Sequence, residues 1–109
     1  MGAPLVSRII LPENDPNKLW PVRLTASAQR DLDDIDKTKR DLILRELRAL
    51  EKDPLPNGKN LKKLRSPKRS VWRLRHGDYR IIYRVENQQV IVVRVVNRRD
   101  LDRATEQLD

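Results

Sequence analysis

The sequence predicts an α+β domain, on three observations: two tandem amphipathic helices, three apolar strands joined by tight turns, and a basic excess confined to the strand half. A chain of 109 residues supports one domain. Its apolar fraction of 38%, mostly Leu, Ile and Val, is enough for a compact core.

Residues 1–19 read as an N-terminal extension or arm, ahead of a single domain over 20–109. Leu5–Leu11 is apolar but interrupted by Ser7 and Arg8, which excludes a signal peptide; it is either an extra edge strand or an arm. Pro12, Pro16 and Asn14-Asp15 make 12–19 a loop. Trp20, Val22 and Leu24 then alternate with Pro21 and Arg23, the period of a short half-buried strand. Thr25 can cap a helix with Ala28, Leu32 and Ile35 on one face. Asp36 can cap a second, whose stripe is Ile43, Leu47 and Leu50, and Asp53-Pro54 stops it because the residue before proline avoids the α region. The two helices form an antiparallel hairpin.

Residues 54–70 read as a Pro/Gly-punctuated basic segment with one helical turn at Leu61–Leu64. Three strands follow, Val71–Arg75, Tyr79–Val85 and Val90–Val96, closed by His76-Gly77-Asp78 and Glu86-Asn87-Gln88. Turns this short require antiparallel neighbours. The tail, Asp100–Leu108, is a short helix with an acidic first turn. The predicted order is β-α-α-β-β-β-α, with the helical hairpin on one sheet face and the other face open.

The net charge of +8 is unevenly placed. Residues 1–58 are neutral overall, with 10 basic and 10 acidic side chains, whereas 59–99 hold 13 basic against Asp78 and Glu86. Such a field attracts polyanions, nucleic acid above all. No Cys and a single His, His76, exclude disulfides, thiol nucleophiles and Cys- or multi-His metal sites, and fit a reducing, cytoplasmic setting. No cofactor or metal is expected, and the acidic run Asp31, Asp33, Asp34 and Asp36 reads as a solvated helix end. No apolar run is long enough for a membrane span.

Alternation along the strands groups the cations. If Trp72, Leu74, Ile81 and Ile91 line the core, then Arg73, Arg75, Arg80 and Arg84 share the exposed face. Arg94 falls with Val90, Val92 and Val96, and Arg98 and Arg99 arrive at the end of the last strand. Guanidiniums fixed on a rigid sheet form a phosphate site. His76 reads as a turn residue, and Trp20 and Trp72 as core anchors.

The run Trp72-Arg73-Leu74-Arg75-His76-Gly77-Asp78-Tyr79-Arg80-Ile81-Ile82-Tyr83, with Gly58, Leu61 and Leu64 before it and Val93–Asp100 after it, resembles the RelE/ParE toxin superfamily over residues 20–103. The resemblance implies a toxin of a type II toxin–antitoxin system that binds the ribosome and cleaves mRNA without a metal, the RNA 2′-OH serving as nucleophile. It places Arg80 on the scissile phosphate and Arg98 or Arg99 at the second catalytic arginine. Arg73 falls on one of two lysine positions that activate the 2′-OH. Lys62, Lys63, Arg65, Lys68, Arg69, Arg75 and Arg84 are then RNA- or ribosome-binding candidates. The chain departs from the pattern at Val71, the other lysine position, at Asn97, the usual His place, and in having no Tyr over Leu101–Thr105. The implied partner is a cognate acidic antitoxin, joined in a heterotetramer. The same fold also serves non-catalytic inhibitors of DNA gyrase, and a non-toxic basic RNA-binding regulator is the third reading.

Overall fold

A computed structural model of the chain describes residues 19–56, 60–64 and 71–106. The first strand, β1 (Val22–Leu24), leads into α1 (Ala26–Asp33) through Thr25. The Thr25 hydroxyl accepts the Ala28 N–H at 3.1 Å and donates to the Val93 carbonyl at 3.1 Å, so the cap also docks the helix on the sheet. Helix α2 (Lys37–Lys52) starts after Asp36, whose side chain makes no capping bond, and ends where Asp53-Pro54 was expected to end it. Ile43, Leu47 and Leu50, spaced four and three apart, are its buried stripe.

Four more strands follow: β2 (Leu61–Leu64), β3 (Val71–His76), β4 (Tyr79–Glu86) and β5 (Gln89–Asn97), then a 3-10 turn, Arg98–Asp100, and α3 (Leu101–Glu106). The sheet order is β1-β5-β4-β3-β2, with β1 parallel to β5 and every other pairing antiparallel. The turn after β4 is Asn87-Gln88, both at positive φ (52° and 59°), the twist that a two-residue hairpin favours.

Leu61–Leu64 is a strand and not a helical turn. Two leucines three apart fit either geometry, and pairing with Val71–Leu74 of β3 decides for the strand. The sheet therefore has five strands among the described residues, one more than the sequence predicts.

The larger core lies between the sheet and the α1–α2 hairpin, and holds Ala28, Leu32, Ile43, Leu47, Leu50, Leu74, Ile81, Tyr83, Val90, Val92 and Val95. Trp20 and Trp72 pack against it as half-buried anchors. The opposite face is not wholly open. There α3 covers a smaller cluster of Val71, Ile82, Val93, Val96 and Ala104.

A register shift between Ile82 and Tyr83 sets Arg94 opposite Ile82 and Val92 opposite Tyr83, leaving Val93 as an extra residue in β5. Alternation fails across such a bulge. Val90 and Val92 face the helices while Val96 faces away, and Ile91, expected in the helix-side core, packs on the smaller cluster. The extension over 1–18 lies outside the described residues. No helix described is long and apolar enough to cross a membrane.

Candidate functional site

The site is built on the β3–β4 hairpin. Val71, Arg73 and Arg75 on β3, and Arg80, Ile82 and Arg84 on β4, project from the face opposite the helical hairpin, as alternation requires. Arg75 is directly opposite Arg80, and Arg73 directly opposite Ile82 on one side and Lys62 of β2 on the other. The sheet thus brings Lys62, Arg73, Arg75 and Arg80 together.

Arg80 is the fixed point of this cluster. It is 8% exposed, the one buried charged residue among those described. Its Nη1 donates to the carbonyls of Gly77 and Tyr79, both at 2.9 Å. Gly77 turns at φ +59°, a conformation that side-chain-bearing residues rarely adopt, and so presents its carbonyl to the arginine. These two backbone acceptors carry no residue-type signature. The glycine of the hairpin is the only hint of them in the sequence. Burial, then the charges of Arg73, Arg75 and Arg98, lower the Arg80 pKa from its usual value. The guanidinium stays charged, in a site whose field is already positive and therefore short of an anion.

Arg98 stands at the end of β5, exposed. Its N–H donates to the Asp78 carbonyl at 2.7 Å, and its Nε lies 3.8 Å from the Asp78 carboxylate. The hairpin turn thereby ties both Arg80 and Arg98. Arg99 is exposed, with its N–H on the Asn97 side chain at 3.2 Å.

Other candidates go elsewhere. Lys63 pairs with Trp72 and lies on the helix side, its Nζ 6.0 Å from the Trp72 ring centre. Arg84 shares the cationic face but is tied to Glu86 at 3.1 Å. Arg94 leaves the sheet face to grip Asp31 bidentately, at 2.7 and 3.1 Å, and Asp31 also accepts the Val95 N–H. Asp31 is therefore not a solvated helix-end charge. It closes the β5 edge beyond β1. His76 ends β3 rather than sitting in the turn, with Nδ1 3.9 Å from Glu46. Arg65, Lys68 and Arg69 lie outside the described residues. No group of His, Cys, Asp and Glu among the described residues could hold a metal.

The profile of the ParE toxin of type II toxin–antitoxin systems matches residues 22–102, which span α1, α2 and every strand named above. The chain belongs to the RelE/ParE toxin superfamily. Among solved structures, this toxin chain resembles a RelBE toxin–antitoxin complex of Mycobacterium tuberculosis at 28% identity and TM-score 0.64, over 77% of this chain and 97% of that one. It likewise resembles an archaeal RelE–RelB complex from Pyrococcus horikoshii at 25% identity and TM-score 0.64, over 73% and 96%. A YoeB/ParE toxin from Agrobacterium tumefaciens shares the fold at 19% identity and TM-score 0.61, over 71% and 96%. A search of curated proteins finds no match.

Proposed function

We propose that this toxin cleaves messenger RNA on the ribosome, in the cytoplasm, and is held in check by a cognate acidic antitoxin. The observation that carries the reading is Arg80: buried, held by two carbonyls, and ringed by the charges of Arg73, Arg75 and Arg98. Similarity to complexes of RelE with RelB supports the antitoxin and the RelE-like activity.

In such a reaction the 2′-oxygen attacks the adjacent phosphorus and the bond to the 5′-oxygen breaks, leaving a 2′,3′-cyclic phosphate and a 5′-hydroxyl. Charge builds on the non-bridging oxygens, and preorganised donors stabilise it without reorganising. Arg80 is the donor set there, and Arg98, whose charge acts on Arg80, is assigned the departing oxygen, which takes its proton from solvent. The 2′-OH must also lose a proton. The two carboxylates of the cationic strands, Asp78 and Glu86, are each turned to an arginine, at 3.8 and 3.1 Å. The ribosome supplies the base, which makes the activity ribosome-dependent.

A second reading has its own support. The matched profile is that of ParE, and a cluster of Arg73, Arg75 and Arg80 with no carboxylate paired to it among the described residues suits a non-catalytic inhibitor of DNA gyrase. Induced expression, with mRNA 5′ ends and plasmid supercoiling followed in one culture, separates the two. Cuts within codons that vanish in Arg80→Ala are expected. Intact mRNA with disturbed supercoiling overturns cleavage in favour of gyrase inhibition, and harmless overexpression without a partner overturns both in favour of a regulator.

A further inference from the structure

Strand β5 is nine residues long, but its neighbour β1 accompanies only Val90–Val92. Beyond Val92 no described strand lies along the outer edge of β5, and α1 takes that place. Two side chains of the α1 segment supply the missing edge partners. The Thr25 hydroxyl donates to the Val93 carbonyl at 3.1 Å, and the Asp31 carboxylate accepts the Val95 N–H at 2.9 Å. Asp31 also holds the residue between them, accepting from Nε and Nη2 of Arg94 at 2.7 and 3.1 Å. The bulge at Val93 is thus bracketed on both flanks.

These bonds exist in one register only. Val90 and Val92 turn their backbone groups to the β1 side, the Val90 N–H to Pro21 and the Val92 carbonyl to Thr25. Strict alternation from there would turn the backbone groups of Val93 and Val95 toward β4, away from Thr25 and Asp31. The extra residue of the bulge is what brings them round.

The register beyond the bulge decides which arginine joins Arg80. Val96 is opposite Arg80, and Arg98 leaves the strand two residues later with its N–H on the Asp78 carbonyl at 2.7 Å. Its charge acts on Arg80 there. Slipped by one residue, β5 would put Asn97 in that place and carry Arg98 onward to the other face.

We propose that Asp31 is a positioning residue: through Arg94 and the Val95 N–H it locks the bulged register of β5, and that register sets Arg98 beside Arg80. The inference rests on the role assigned to Arg98 above and deepens it.

The chain has no cysteine, so introduced pairs report the register by themselves. Tyr79 and Asn97 are directly opposite, within reach of a disulfide. In the full chain Tyr79→Cys with Asn97→Cys is expected to oxidise, and Tyr79→Cys with Val96→Cys is not. Adding Asp31→Ala lets the second pair form. Asp31→Asn keeps one acceptor and shifts the pairing less; it carries the test where Asp31→Ala does not fold. Growth arrest supplies the other readout. Arg98→Ala and Asp31→Ala each lose about a hundredfold, and the double variant loses no more than either alone. Native pairing retained in a folded Asp31 variant, or Arg98→Ala costing the same factor with and without Asp31, overturns the lock and leaves Asp31 a contributor to stability only. Absence of growth arrest by wild type overturns the cleavage reading, and the cysteine pairs then decide the lock alone.

Discussion

Ile81 and Ile82 are neighbours on β4, both without solvent exposure, yet they belong to different proteins in all but name. Ile81 faces two helices and shares a core with Leu74, Tyr83, Val92 and the α2 stripe. Ile82 faces a patch of four other buried residues under the six-residue α3, with Arg73 and Arg80 beside it. One face supplies the apolar burial that folds the domain. That leaves the other free to hold like charges together, an arrangement no sheet adopts for stability. The contrast teaches where to look for function in a small sheet: on the face that breaks the pairing rules.

Truncating the two isoleucines measures the contrast directly. Ile81→Ala sits among rigid neighbours that cannot close the gap, and costs about 4 kcal/mol, near the top of the range for such changes. Ile82→Ala, under a short helix able to settle, costs about 2 kcal/mol. Urea unfolding of both variants checks the order; equal losses would mean that the α3 side is as firmly packed as the hairpin side.

Arg80 breaks the comparison from the other side. Its charge is buried among like charges, so an apolar residue of similar length relieves repulsion at the same time as it removes the anion site. Arg80→Met is expected to unfold at a urea midpoint equal to or above wild type while losing about a hundredfold or more in growth-arrest activity. A drop in stability above about 1 kcal/mol would show instead that the bonds to Gly77 and Tyr79 hold the hairpin together.

Much of this division is visible in the sequence. Period-two alternation over Val71–Arg75 and Tyr79–Val85 puts Arg73, Arg75, Arg80 and Arg84 on one face, because nothing interrupts the register within that hairpin. Period 3.6 finds Ile43, Leu47 and Leu50 for the same reason. Legibility ends where a second strand decides the outcome. Leu-Lys-Lys-Leu becomes β2 only through its pairing with β3, and that pairing sends Lys62 and Lys63 to opposite faces. The β5 bulge depends on how β4 meets it, and it carries Arg94 off the sheet to Asp31. A charge run cannot say which of its members a carboxylate elsewhere in the chain will claim.

Tyr83 sharpens the picture of the helix-side face, the one polar handle in its densest part. The ring is fully buried, and its hydroxyl donates to the Pro54 carbonyl at 2.7 Å, pinning the chain just after α2 to β4. Burial first, and the nearby Asp53 charge second, push the phenol pKa well above its usual value. The folded state therefore keeps the proton where the unfolded chain, titrating near 10, gives it up. This contribution is complete below pH ~10 and is lost above it, at about 1.4 kcal/mol per pH unit. Tyr83→Phe removes both the bond and the titration. At pH 7 the variant is less stable by about 1 kcal/mol, for the Pro54 carbonyl left without its donor. Above pH ~10 only the wild type acquires this extra loss, so the two urea-unfolding stabilities converge and cross near pH 11. Parallel curves from pH 7 to pH 11 would mean that the hydroxyl reaches water in the native state, and that this face is less tightly closed than its burial indicates.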